Sequence, residues 1–285
     1  MERGIALART KSLGLIIPDI TNPFFPELVK AVEKQATQQG YTVILGNTDF
    51  SSEKEQIYLS TFINKRVDGI ILTTTSNNIG SIQHHLKKYN IPCVMLDRSL
   101  EDLLNENSAG VFVDNEYAAF LACEHLLLHG HKKIAFLGGP QELSTSHERF
   151  KGYAAALYQY NVAYDQQLVC SGDYTMKSGY DAVMTLSKQA IAFTGIVASN
   201  DAMAIGAIRA LHQLNVPIPE QVEIIGFDNI EFSEMTDPPL STIQQPTSDM
   251  GKLAVRLLLD LIAGKEPAIR YCRLQAKLIL RGTTR

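Results

Sequence analysis

What the chain lacks narrows its function first. The 285 residues hold no GxSxG, no GxxxxGK[ST], no HExxH and no GxGxxG after an apolar run. The common local signatures of serine hydrolases, P-loop nucleotide hydrolases, zinc proteases and dinucleotide-dependent oxidoreductases are therefore missing, and no catalytic residue and no cofactor is expected. There is no CxxC pair. Cys93, Cys123, Cys170 and Cys272 are far apart, and three of them sit in apolar runs ("IPCVML", "FLACEHLL", "QLVCSG"), so they read as free thiols rather than disulfides or ligands. A basic excess is absent too. Lys and Arg number 26 against 30 Asp and Glu, giving a net charge of −4, which argues against nucleic-acid binding by this chain alone. No apolar run reaches the roughly 18 residues of a membrane span, and no apolar signal region opens the chain, so it reads as cytoplasmic.

What is present is a long alternation. Short apolar runs recur at 13–17, 41–45, 68–72, 92–96, 110–113, 133–137, 167–170, 195–199 and 222–227. Most are separated by segments with apolar positions three and four apart. In "FPELVKAVEKQATQQG", Leu28, Val32 and Ala36 share a face and Gly40 can end the helix. Strands apolar on both faces and alternating with helices predict parallel sheets covered on both sides, an α/β doubly wound fold. The series breaks in the polar stretch 98–110 and again at "DPPLSTIQQP" (237–246), before a last helix and a late strand around 270–280. Two lobes joined by several chain crossings follow. The expected division puts 13–111 with 241–267 in an N-terminal lobe and 112–240 with 268–285 in a C-terminal lobe.

Ligands of such sheets bind beyond the carboxyl ends of the strands, and the residues there are consistently planar or charged. Asp19 and Asn22 follow the first strand, Thr73 to Ser76 the third, and Asp97 and Arg98 the fourth. Asp114 and Asn115 come next, then "GGP" with Arg149, then Asn200 and Asp201, Asp228 and Asn229, and the late Gln244 and Gln245. Any one could be only a helix cap or an Asx turn. Their recurrence predicts a polar cleft between the lobes. A sugar presents hydroxyls at its edge and C–H groups on its faces, and so needs paired hydrogen-bonding groups beside aromatic rings. "NPFF" supplies Asn22, Phe24 and Phe25 from one turn. Two adjacent rings are not expected to face the same core, which leaves one for a ligand. His125, His129 and His131 form the nearest metal-like pattern, but "LLLHGHKKIAFL" reads as a helix end whose histidines suit the dipole, so no metal is expected.

The segments "LGLIIPDITNPFFPELVKAVE", "KRVDGIIL", "VMLDRS", "VFVDN", "HGHKKIAFLGGP", "ERFKGY", "SNDAMAIGAIRAL", "VEIIGFDNIEFSEMTDPPLSTIQQP" and "RGTTR" resemble, in this order, the LacI-type (lactose-repressor) family of bacterial transcription regulators. Its core is similar to periplasmic sugar-binding proteins, so the resemblance implies a periplasmic-binding-protein-like fold of type I. It implies the effector-binding and dimerisation core of a repressor, with ribose or a similar pentose as effector. The pentose-binding set maps onto Asn22, Phe24, Phe25, Asp97, Arg98, Arg149, Asn200, Phe227, Asp228 and Gln245, with Thr73 where ribose binders usually carry asparagine. Another sugar, a purine or a protein corepressor remains an alternative effector, and a transporter-type sugar-binding protein an alternative role. The resemblance further implies a homodimer through the helices at 26–39 and 201–214. It also implies that operator DNA is bound by a helix-turn-helix headpiece absent here, with residues 1–12 as a shortened hinge segment.

Overall fold

In the computed structural model, residues 9–74, 79–98 and 107–285 are described. The expected hinge up to residue 8, Thr75 and Ser76, and most of the polar stretch at 98–110 lie outside them. The chain divides into two compact units. One holds the described residues up to Phe112 together with Thr247–Arg273, and the other holds Val113–Pro246 and Leu274–Arg285.

The first unit carries strands β1 (Ser12–Ile17), β2 (Thr42–Asn47), β3 (Gly69–Leu72), β4 (Cys93–Asp97), β5 (Ser108–Val113) and β11 (Tyr271–Leu274), in the order β11-β5-β4-β3-β1-β2. Side chains alternate across each strand, and on β1 the alternation assigns the two faces. Ile16 joins a core with Leu59 and Phe62 of α2 (Ser52–Asn64) and Ile82 and Leu86 of α3 (Ile79–Tyr89). Gly14 points the same way, and a Cβ there would stand 2.3 Å from the Phe62 ring. The other face is covered by α1 (Phe24–Gln38) and α8 (Thr247–Ile262). On α1 the expected stripe Leu28, Val32 and Ala36 is fully buried, and Gly40 at φ 74° ends the helix where a side chain would be strained.

The second unit repeats this plan with different residues. Strands β6 (Ile134–Gly138), β7 (Val169–Ser171), β8 (Gly195–Ala198), β9 (Glu223–Asp228), β10 (Ser241–Gln244) and β12 (Lys277–Ile279) take the order β12-β10-β9-β8-β6-β7. Helices α6 (Met176–Lys188) and α7 (Asp201–Gln213) pack on one face around Leu137, Ile196 and Ile224. They touch backbone to backbone: a Cβ on Gly179 would lie 2.0 Å from the Met203 carbonyl oxygen, and one on Gly206 1.9 Å from that of Met176. Helices α4 (Asn115–Leu128) and α5 (Ser144–Gln159) cover the other face, where Tyr153 stacks on Phe136 and donates a 2.8 Å hydrogen bond to the Ile134 carbonyl.

Counted by position, the first five strands of each unit run 2-1-3-4-5, so each sheet reverses direction of growth between its first and third strands. Such a switch point opens a crevice at the carboxyl edge. Three details depart from the sequence reading. The late strand near 270–280 is two strands, β11 in one sheet and β12, antiparallel to β10, in the other. "STIQ" is a strand rather than part of a connection. The expected return to the first lobe at 241 therefore falls at 247, because β10 is paired with β9, and the final crossing falls after Arg273, because β11 pairs with β5.

Candidate functional site

At the carboxyl edge of the first sheet, "TNPFF" links β1 to α1. The Asn22 side-chain oxygen accepts from the Phe24 amide at 3.2 Å, an Asx turn that starts the helix and leaves the carboxamide nitrogen as a donor. Phe24 and Phe25 are both buried, with ring centroids 5.1 Å apart in an edge-to-face pair. Packing one ring's edge against the other's face accompanies the burial of both. Beyond β3, Thr73 is fully buried and its hydroxyl has no hydrogen-bond partner. Beyond β4, the buried Arg98 guanidinium donates to the Thr74 carbonyl at 2.9 Å, lies 3.8 Å from the Asp97 carboxylate and sits over the Phe50 ring. Asp97 holds φ 69°.

The second sheet presents a matching edge. Arg149, buried in the first turns of α5, donates from Nε to Asn115 Oδ1 at 2.9 Å and from a terminal nitrogen to the Ser199 carbonyl. Its guanidinium carbon stands 3.7 Å from the centroid of the buried Phe227 ring. Its other terminal nitrogen is left to donate outward. Asp228 ends β9 with φ 116°, and Gln245 donates to its Oδ1 at 2.7 Å, a contact set by the pairing of Gln244 with Asp228 in neighbouring strands. Asp97 and Asp228 thus occupy equivalent places, each closing the fourth strand of its sheet in a left-handed conformation that L residues adopt only under constraint.

Asn200 is a cap as well as a candidate contact. It accepts from the Met203 amide at 2.9 Å and donates to the Tyr174 carbonyl at 3.0 Å. The next residue, Asp201, is buried and accepts from the Thr242 hydroxyl at 2.6 Å and the Ile230 amide at 2.9 Å. Burial, reinforced by the Asp228 carboxylate, holds its carboxyl well above the usual range. Asp201 is thus a scaffold under the loop that carries Asp228.

Sequence reasoning missed Ser199, whose buried hydroxyl has no partner, and undervalued Asn115, which fixes the Arg149 fork. Ser199 stands at a strand end like the residues singled out, so the same signal would have found it. Among the described residues, the buried hydroxyls of Thr73 and Ser199 and Oε1 of Gln245, all at strand ends, lack protein partners. Such atoms cost free energy unless something else hydrogen-bonds them. Each edge carries a buried guanidinium and a buried carboxylate. The arrangement suits an uncharged molecule dense in hydroxyls.

The family model described as "Periplasmic binding proteins and sugar binding domain of LacI family" matches residues 10–281. The chain belongs to the LacI family. Among its LacI-family relatives, the ribose operon repressor of Halalkalibacterium halodurans is 38% identical over 273 residues, covering 96% of this chain and 79% of the relative. The transcription regulator CcpA of Lactococcus lactis has a TM-score of 0.89 at 31% identity, covering 97% of this chain and all of that one. A LacI family regulator from Enterococcus faecium, solved with bound ribose, has a TM-score of 0.86 at 34% identity, covering 96% of this chain and 98% of that one. The relatives are repressors and regulators, and no helix among the described residues is long and apolar enough to cross a membrane.

Proposed function

We propose that this LacI-family chain binds ribose or a closely similar neutral pentose, engaging it with both strand-edge sets. The observation that carries this reading is that buried polar groups gather at both strand edges, Asp97 with Arg98 at one and Arg149, Asp228 and Gln245 at the other, beside the Thr73 and Ser199 hydroxyls and Gln245 Oε1, which have no protein partner. Arg149, rigid between Asn115, Ser199 and Phe227, would present a donor to ring hydroxyls. Asp97 and Asp228 would accept from them, and Thr73, Ser199 and Gln245 would complete the set. Ribose rather than another pentose is favoured by the ribose operon repressor relative and the ribose-bound neighbour.

As the regulatory core of a homodimeric repressor, the chain would convert ribose binding into a change in operator affinity. A sugar touching both units stabilises the arrangement in which it touches both, and only that differential contact can shift the equilibrium. Calorimetric titration with pentoses, hexoses and purine nucleosides tests the reading: ribose should bind one per chain and most tightly. Saturating binding by a purine nucleoside with none by ribose would transfer the site to the nucleobase reading. Small-angle scattering should then show compaction on adding ribose, and superimposable profiles would remove the closure step.

A further inference from the structure

The edge of the second sheet opposite the candidate sugar site carries a cluster that the proposed function leaves unused. His125 and His129 lie one turn apart at the end of α4, with ring centroids 4.2 Å apart. Glu223, 94 residues beyond His129 in sequence, opens β9 beneath them, its side chain fully buried and its Oε2 3.1 Å from His129 Nδ1. One nitrogen from each histidine and one carboxylate oxygen fall within 4.8 Å of one another. The sequence pattern alone offered histidines without a carboxylate; the fold supplies it.

We propose that His125, His129 and Glu223 form a binding site for a divalent transition-metal ion of the zinc type. Ligand atoms around a tetrahedral Zn²⁺ at about 2.1 Å stand roughly 3.4 Å apart, so the His129–Glu223 pair is already at ligand spacing and only His125 must swing in. His125 Nε2 is buried with no hydrogen-bond partner. Arg285 (3.0 Å) and His131 (3.4 Å) both reach Glu223 Oε1, leaving Oε2 for the ion. His131 is itself fixed by Thr194 at 2.9 Å, the outer support that orients a ligating carboxylate. The His129 side chain is 31% exposed, so an ion enters from solvent and keeps water as its fourth ligand. Two nitrogens and one oxygen suit zinc-like ions rather than Mg²⁺ or Ca²⁺. From Glu223 to Asp228 is about 16 Å along β9, so this is a separate site from that of the sugar.

The test uses untagged protein stripped with a chelator and then dialysed. Titration with Zn²⁺ should give one ion per chain at micromolar concentration, and Co²⁺ should give the intense visible bands of a four-coordinate complex. His125→Ala and His129→Ala should each weaken Zn²⁺ binding by at least about 100-fold, since loss of even an outer-shell partner costs about 10- to 100-fold. Ribose titration of the same variants reports that they are folded. Absence of stoichiometric Zn²⁺ binding by the parent, or parental Zn²⁺ affinity in both folded variants, overturns the proposal.

Discussion

Arg149→Ala is the sharpest perturbation of the candidate sugar site. Arg149 is 4% exposed, and its guanidinium donates to Asn115 and to the Ser199 carbonyl and stacks on Phe227. Removing it does more than delete a ligand contact. It leaves Asn115 Oδ1 and a carbonyl without their charged donor and frees the Phe227 ring to move. Removing a donor so that a buried acceptor is left unpaired typically costs about 1–3 kcal/mol. At about 1.4 kcal/mol per decade, that corresponds to a loss of ribose affinity of roughly 5- to 140-fold. Isothermal titration of parent and variant measures this directly. Arg149→Lys keeps the charge but not the planar fork, so it cannot hold Asn115 and Ser199 together while facing a sugar. It should fall between parent and alanine, and it covers the case in which alanine does not fold. A folded Arg149→Ala or Arg149→Lys protein that binds ribose within about threefold of the parent would refute the assignment of Arg149.

Three further expectations concern the scaffold. Phe24→Ala and Phe25→Ala should each destabilise the fold by about 3–5 kcal/mol, as for other buried Phe truncations, whereas Phe24→Leu and Phe25→Leu should fold and one of them should lose ribose affinity; parental affinity in both leucine variants would make the pair purely structural. Asp201 keeps its proton in the folded state above the unfolded value of about 3.9, so its stabilising contribution is complete below that pH and is lost as pH rises through the raised folded value. The melting temperature of Asp201→Asn should therefore gain on the parent between pH 4 and 8, and parallel profiles would show that Asp201 is ionised throughout. Gly206→Ala drives a methyl against the Met176 carbonyl and should cost about 1–3 kcal/mol or more by denaturant titration, despite alanine's better helix propensity.

The elements most legible in the sequence were those whose burial is apolar. Runs such as "LGLII" and "KIAFL" are uninterrupted because helices cover both faces, and the α1 stripe Leu28, Val32 and Ala36 follows from a single covered face. "STIQ" was illegible because a buried strand can be polar if its hydroxyls are paired: the Ser241 hydroxyl meets that of Thr284 and accepts from the Arg281 amide, and the Thr242 hydroxyl donates to Asp201. The Arg and Asp residues of the candidate site were legible as strand-end groups. Their partners were not, since Asn115 meets Arg149, and Glu223 meets His129, only after the sheet has formed. The burial of both Phe24 and Phe25 depends on ring orientation, which side-chain periodicity does not encode.

The division of the first unit between the two ends of the chain bears on how a ribosome delivers it. Helix α8 closes the face on which Leu28 and Val32 lie, with Gly251 set against Ala31 and Leu258 over Gly69. Residue 262, where α8 ends, is made 150 residues after Phe112. At about 5–20 residues per second, the α1 face waits about 8–30 s for its cover. Over that interval the intervening unit is synthesised almost whole, lacking only Leu274–Arg285, which includes β12. Newborn chains therefore carry an open apolar sheet face beside a nearly complete neighbour, and substitutions that loosen α8 should lower the yield of folded protein in cells more than they lower its stability once purified.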